Sequence, residues 1–279
     1  MRTNGDAFVE IEVEALSKSF DGRPVLRGVD LEIRRGSFIA LVGPSGCGKT
    51  VLLNLILGLL VPDAGRILVA AGDTPGARLV DLAGLDGQQR SRIYGRWAVV
   101  FQKNALFSGS VRDNIGLWLR EVRDLGDDAI TPIARAALTA VGLPCTDSFL
   151  EISVYSLSGG MAKRLAIARA LAMDPDCLFY DEPTSGLDPL TASQIQDLLL
   201  ATHSGPTVGQ GRRTTVMVTH DKDLLSRLRP RTVMLHEGRV FFDGPFEAFA
   251  ASTSPVIRPY FELMPILHQR GADPVMTPA

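Results

Sequence analysis

The chain has 279 residues, 46% hydrophobic and 22% charged, the make-up of an ordinary globular protein with room for one large domain or two small ones. A formal net charge of −2 gives no electrostatic reason to expect a nucleic-acid partner, so none is expected. Three scattered cysteines, Cys47, Cys145 and Cys177, are too few for a disulfide frame or zinc site and fit a reducing cytosol. The first ten residues lack the apolar centre of a signal peptide. The longest apolar run, VLLNLILGLLV at 51–61, is too short to span a bilayer and carries Asn54. Any action at a membrane is expected to go through a partner.

In chain order, VEIEVEALSKSF and VLRGVDLEI alternate apolar and polar residues around the turn DGRP, which predicts antiparallel strands of a half-buried sheet. SFIALVG reads as a buried strand entering a glycine loop, TVLLNLILGLL as the helix after it, and PDAGRILVAAG as a turn and strand. Residues 73–89 are polar and glycine-rich and are expected to be a surface excursion; WAVVFQ is the next strand. Helical periodicity dominates from about residue 104 to 173. CLFYDE is a buried strand ending in acids, PLTASQIQDLLLATH an amphipathic helix, SGPTVGQGRR a flexible loop and TTVMVTHD a strand ending in polar residues. TVMLHEG and RVFFDG are short strands, FEAFAAS a helix, and GADPVMTPA a tail expected to be disordered.

The run GPSGCGKT, comprising Gly43, Pro44, Ser45, Gly46, Cys47, Gly48, Lys49 and Thr50, has the spacing G-x-x-x-x-G-K-[ST] between a strand and a helix. Such a loop wraps a phosphate chain with inward N–H groups; Lys49 reaches the β- and γ-phosphates and the Thr50 hydroxyl binds Mg²⁺. A helix N-terminus lowers a thiol pKa, but Cys47 reads better as an inert small residue. Asp181 and Glu182 end an apolar strand. Asp181 is placed to hold Mg²⁺ through water, and Glu182 to polarise an attacking water. Solvated acids at a strand end are the plain alternative. Gln102 ends another strand, where its amide can bind Mg²⁺ or water; a surface glutamine is the alternative. His220 ends a third strand and can bond the γ-phosphate or orient the water or Glu182, although a lone histidine is more often structural. Phe20 precedes a turn and can stack on adenine or fill a core. The stripe Leu165, Ala168, Ala172 is core packing.

LSGGM at 157–161 opens the helical run MAKRLAIARALAM. Ser158 and the amides of Gly159 and Gly160 form a second phosphate cradle, because a helix N-terminus carries unpaired N–H groups and partial positive charge. One chain with two cradles suggests two chains clasping ATP between them. Asp188, in SGLD, is placed to touch the partner chain near its own active site.

Together these runs resemble the ATP-binding cassette family of ATPases, over residues 9 to about 262. Phe20 stands as the adenine-stacking aromatic, GPSGCGKT as Walker A, Gln102 as the Q-loop, LSGGM as the signature, CLFYDE as Walker B, SGLD as the D-loop and His220 as the switch histidine. Val51 stands where a second hydroxyl often follows the Walker A threonine, and Val154 where a proline often precedes the signature; the stretch between residues 65 and 102 is longer than usual. The resemblance implies an α/β fold: a P-loop NTPase core, a RecA-like mixed sheet with flanking helices, plus an antiparallel β subdomain and an α-helical subdomain at about 104–173. It implies an ATPase domain over 1–245, a C-terminal helix or extension over 246–279, ATP and Mg²⁺ as cofactors, and Val51 within the ATP site. It further implies a homodimer bound to integral membrane permease subunits, cytoplasmic and peripheral on the inner face of the cell membrane.

The segment FQKNALFSGSVRDNIGLWLRE, the run LSGGMAKRLAIARAL and the C-terminal SPVIRPYFE look like the ATPase subunits of phospholipid-trafficking, Mce-type importers of bacterial envelopes. In that family a short C-terminal extension packs on the neighbouring subunit. An Mce-type lipid-binding protein is then an expected partner. Amino-acid or osmolyte importers are the alternative. A soluble ATPase acting on ribosomes or DNA is a third, disfavoured by the single cassette and the lack of coiled-coil or zinc inserts.

Overall fold

The computed structural model describes residues 8–72, 76–205 and 213–264. The chain opens with β1 (Val9–Phe20) and β2 (Arg23–Arg34), joined by Asp21-Gly22. Both turn residues have left-handed φ, 50° and 74°, which suits the twist of a tight hairpin. A mixed sheet begins with β3 (Phe38–Val42), which leads through the glycine loop into α1 (Lys49–Ile56). The helix is shorter than its apolar run. Gly58 takes φ 68° and its N–H returns to the Leu55 carbonyl, a glycine stop that leaves Leu59 outside and exposed.

β4 (Ala64–Ala70) and β5 (Leu79–Asp81) complete a four-stranded antiparallel sheet in the order β2-β1-β4-β5. The stretch 73–89 is therefore not merely an excursion: Leu79 and Val80 pair with β4, and α2 (Gly87–Tyr94) starts inside it. Asp86 and Gln89 form a reciprocal capping box there, a D-x-x-Q signal that the composition of the stretch obscured.

β6 (Trp97–Val100) leads to a layer of helices: α3 (Val111–Arg123), α4 (Asp127–Ala140), α5 (Asp147–Leu150) and α6 (Gly159–Ala172). Residues 104–110 are not helical, contrary to the period-based reading. The buried Asn114 side chain binds both the N–H and the carbonyl of Phe107, and Ser110 starts α3 with a capping box to Asp113. Leu165, Ala168 and Ala172 are buried in the core, as the stripe implied.

The mixed sheet continues with β7 (Cys177–Asp181), followed by α7 (Pro189–Ser204), then β8 (Thr214–Val218), α8 (Lys222–Leu228), β9 (Arg231–His236), β10 (Arg239–Pro245), α9 (Phe246–Ala250) and α10 (Ile257–Leu263). Its order is β10-β9-β3-β8-β7-β6, with β6, β7, β8, β3 and β9 parallel and β10 antiparallel on one edge. The central strands are apolar on both faces. In β3, Ile39 and Leu41 face the antiparallel sheet and α1, while Ala40 and Val42 face the helical layer. Each fully buried Leu or Ile stabilises the fold by about 1.5–3 kcal/mol relative to exposure. Arg35 joins Glu10 of β1 at 3.0 Å to Asp176 before β7 at 2.6 Å, which fastens the two sheets together. The expected flexible loop lies, for residues 206–212, outside the described residues, as does GADPVMTPA. Among the described residues no helix is long and apolar enough to cross a membrane.

Candidate nucleotide site

The strands β3, β8, β7 and β6 are neighbours and parallel, so their carboxyl ends share one edge, where open α/β sheets bind ligands. β3 delivers Gly43, β8 delivers His220, β7 delivers Asp181 and Glu182, and β6 delivers Gln102. Thr219 N–H bonds the Leu41 carbonyl at 3.2 Å and fixes the end of β8 beside the head of the phosphate loop.

Gly43 is wedged: with φ 141°, a Cβ there would strike the Leu235 carbonyl and the Cys47 sulfur. Gly48 takes φ 105°, and a Cβ on it would meet Leu26 of β2 at 2.6 Å. The hairpin therefore presses on the loop through Leu26, while Phe20, paired with Arg23 at the hairpin tip, stands 41% exposed. α1 begins at Gly48 without a side-chain cap, which leaves its first-turn N–H groups available to an anion. Lys49 Nζ lies on the Gly43 carbonyl at 2.7 Å and the Pro44 carbonyl at 3.1 Å. Ser45, Gly46 and Thr50 are exposed, while Val51 packs partly against the β1–β2 core. Burial raises the Cys47 thiol pKa, which agrees with an inert residue.

Glu182 sits just past β7 in the left-handed region, φ 47°, a strained place for a non-glycine residue. Its N–H bonds the Val218 carbonyl at 2.9 Å. Its carboxylate meets His220 Nδ1 at 2.7 Å. Burial raises the Glu182 pKa, and the hydrogen bond to His220 opposes that rise. A cleft of about 330 Å³ joins Gly43, Pro44, Ser45, Lys49, Glu182 and His220, so the structure brings the loop lysine, the acid and the histidine to one place.

Asp181 is half-buried and its pKa is raised by burial, with Lys163 and Lys49 acting against the rise. Among the described residues no group of three or more His, Cys, Asp and Glu could hold a metal alone. Asp181, the Thr50 hydroxyl and the Gln102 amide oxygen are a sparse set of hard oxygens. Mg²⁺ accepts such a set when phosphate and water complete its shell. The Gln102 amide nitrogen donates to Ser185 Oγ at 3.1 Å, tying it to the segment after Glu182 and leaving the amide oxygen to a ligand.

The run 157–161 ends in a helix start, as its glycines implied. Ser158 is the N-cap of α6 and its Oγ accepts from Met161 N–H at 3.3 Å. Gly159 faces open space, but a Cβ on Gly160 would strike Thr191 of α7 at 2.6 Å, a packing reason for that glycine inside the chain. Asp188 is exposed and caps α7 by accepting from Thr191 N–H at 3.0 Å.

Two side chains of the site carry no local sequence signal. Lys163, 2% exposed, donates to the carbonyls of Phe101 at 3.2 Å and Gln102 at 3.0 Å. Burial lowers its pKa to about 8. Tyr260, from α10, accepts from Gly43 N–H at 2.9 Å and donates to Gly43 O at 3.2 Å. Nothing near residue 260 in the sequence points to residue 43.

The family model for ABC transporters matches residues 26–185. The chain is 34% identical to the chloroplastic protein trigalactosyldiacylglycerol 3 of Arabidopsis thaliana, over 91% of this chain and 74% of that one. It is 37% identical to the aliphatic sulfonates import ATP-binding protein of Nocardia farcinica, over 86% and 83%. It is 32% identical to the intermembrane phospholipid transport ATP-binding protein MlaF of Haemophilus influenzae, over 87% and 86%. Among solved structures it is similar to cbiO1 of Clostridium perfringens, with TM-score 0.72 and 31% identity over 87% and 91% of the chains. It is likewise similar to the cassette MJ0796, solved as a dimer bound to ADP and Pi, with TM-score 0.70 and 27% identity over 85% and 98%. With the strand-end geometry, the phosphate loop and these likenesses in agreement, the chain belongs to the ABC transporter family as an ATP-hydrolysing cassette of P-loop NTPase fold.

Proposed function

We propose that two copies of this chain clasp ATP between the phosphate loop of one and the LSGG run of the other, and that the pair powers a membrane permease. Phe20 stacks on the adenine, and residues 43–50 enclose the phosphates, with Val51 completing the first turn of α1. Lys49 exchanges its carbonyl partners for the β- and γ-phosphates. Ser158, Gly159 and Gly160 of the second copy close on the γ-phosphate, with Asp188 nearby. Thr50, Asp181 and Gln102 are the side chains that would hold Mg²⁺, whose chemistry there is neutralisation of phosphate charge. The observation that carries the reading is the Glu182–His220 pair at 2.7 Å in the same cleft as Lys49. Glu182 accepts a proton as water oxygen bonds the γ-phosphorus and the bond to the bridging oxygen breaks, releasing ADP and phosphate; His220 orients the carboxylate. The experiment is light scattering of Glu182→Gln with ATP and with ADP. An ATP-dependent dimer supports the reading, and a monomer with both nucleotides refutes it.

The cargo we propose is a phospholipid or other lipid, moved between envelope membranes with an Mce-type lipid-binding partner. The chain would then sit at the inner face of the cell membrane, held by its permease. The runs at 101–121, 157–171 and 254–262 support this, together with one relative named for intermembrane phospholipid transport and another whose name is that of a glycolipid. The comparable identity to a sulfonate importer favours a polar-solute importer as the second reading. Co-purification with its membrane partners, followed by lipid mass spectrometry, separates them: an Mce-domain protein and bound lipid support the first, a periplasmic solute-binding protein the second.

A further inference from the structure

The head of the phosphate loop is held by a helix 217 residues away in sequence. α10 is anchored by buried Ile257 and by Phe261, whose ring packs against Phe246 at 6.1 Å and Phe249 at 5.7 Å, with Lys222 Nζ 4.4 Å from its centre. That anchoring turns Tyr260, one residue earlier, onto Gly43. Its hydroxyl serves both polar groups of that residue, accepting from the N–H at 2.9 Å and donating to the carbonyl at 3.2 Å. The same carbonyl accepts Lys49 Nζ at 2.7 Å. Leu263 and Met264 continue from Tyr260 along the wall of the cleft that holds Lys49, Glu182 and His220.

We propose that Tyr260 is a positioning residue for nucleotide binding: its hydroxyl keeps the buried Gly43 carbonyl bonded when Lys49 leaves it for the phosphates. This rests on the reading of GPSGCGKT as the phosphate loop. A buried carbonyl that loses its partner costs more than the bond contributed, so releasing Lys49 is unfavourable unless another donor stays on that oxygen. Tyr260 is that donor. Leu235 and Cys47 stand where a Cβ on Gly43 would lie, so the space for a shift of Gly43 toward them is small. Burial, the largest influence, pushes the Tyr260 pKa up to about 12, so the hydroxyl keeps its proton and both bonds at neutral pH.

The consequence depends on state. With Lys49 on Gly43, loss of the Tyr260 hydroxyl strands only the N–H; once Lys49 has moved to a nucleotide it strands the carbonyl as well. A purely structural role would lower folded stability equally with and without ligand. A plug over the cleft would weaken ATP binding in the parent and strengthen it in the variant.

The test is calorimetric titration of the full chain with ATP, beside thermal melts with and without nucleotide, for the parent, Tyr260→Phe and Lys49→Ala. Tyr260→Phe keeps the ring and its packing. We expect its ATP dissociation constant to rise about three- to tenfold, the worth of one hydrogen bond to a buried carbonyl, with a smaller ATP-induced rise in melting temperature. An unchanged or tighter constant overturns the proposal, whatever happens to the melt without ligand. Lys49→Ala separates the two levels: if it binds ATP like the parent, the phosphate-loop reading fails; if it loses binding while Tyr260→Phe binds normally, only the role of Tyr260 fails.

Discussion

Two helices in this chain begin at glycine-rich bends, and their first turns are finished in different ways. α1 starts at Gly48 in a left-handed conformation with no side-chain cap, and its loop is wedged between Leu235, Leu26 and Tyr260. α6 starts at Ser158, whose own hydroxyl caps Met161 N–H, and Gly159 beside it faces open space. The first end leaves N–H groups for a ligand and shares a cleft with Glu182 and His220 of the same chain. The second has a satisfied cap and an exposed approach. On the proposed reading the first end holds the phosphates of its own chain's ATP, and the second completes the site of another copy. Lys163, on α6, bonds the carbonyls of Phe101 and Gln102 just past β6, and so ties the second region to the sheet edge that carries the first.

The largest expected effect falls on the first region. Glu182→Gln should bind ATP and hydrolyse it about 10²–10⁴-fold more slowly, the loss of a general base; unchanged turnover in a steady-state assay removes Glu182 from that role. On the second region, Ser158→Arg places bulk and charge on the exposed cradle. Single chains should bind ATP normally, yet the ATP-dependent dimer of the Glu182→Gln background should disappear from light scattering. A normal dimer would mean that the α6 end is a helix cap and nothing more.

The link from α6 to the sheet edge is tested by Lys163→Met, which keeps the length of the side chain and removes the charged donor shared by the Phe101 and Gln102 carbonyls. We expect a loss of about 1–3 kcal/mol in a urea titration. A midpoint equal to the parent's would show that nothing stable runs through Lys163.

The smallest effect is one of pH. Burial raises the Glu182 carboxyl above its ordinary 4.5, so the folded chain holds that proton more tightly than the unfolded chain does. The resulting destabilisation is absent below 4.5 and accumulates as pH rises through the folded value. Glu182→Gln, which has no proton to lose, should therefore gain stability relative to the parent over that window in paired melts. Parent turnover should fall as pH drops through the same raised value. A stability gap that ignores pH would place the shift elsewhere.

What the sequence made legible was local. GPSGCGKT lies between a buried strand and a helix, and CLFYDE is a strand with its acids at the end, so spacing alone carried both. The contacts of α10 were not legible, because Tyr260 meets Gly43 only after the sheet has formed between them. Lys163 was not legible either, because a lysine in a helix is ordinarily solvated and α6 buries residues around most of its circumference, so no stripe marks the lysine as buried. The early stop of α1 rested on Gly58, whose α-carbon lies where a Cβ would strike the Tyr94 hydroxyl, a neighbour that no local pattern supplies.

The proposed ATP site is made from two unlike helix ends in two chains. Mixing the full-length Lys49→Ala and Ser158→Arg chains and measuring steady-state ATPase tests it most directly. Each variant alone lacks one end at every site and should be inactive. A mixed pair contains one site with an intact phosphate loop from the Ser158→Arg chain and an intact signature from the Lys49→Ala chain. Activity in the mixture that neither chain has alone is the predicted result; a mixture as inactive as its parts would contradict the account.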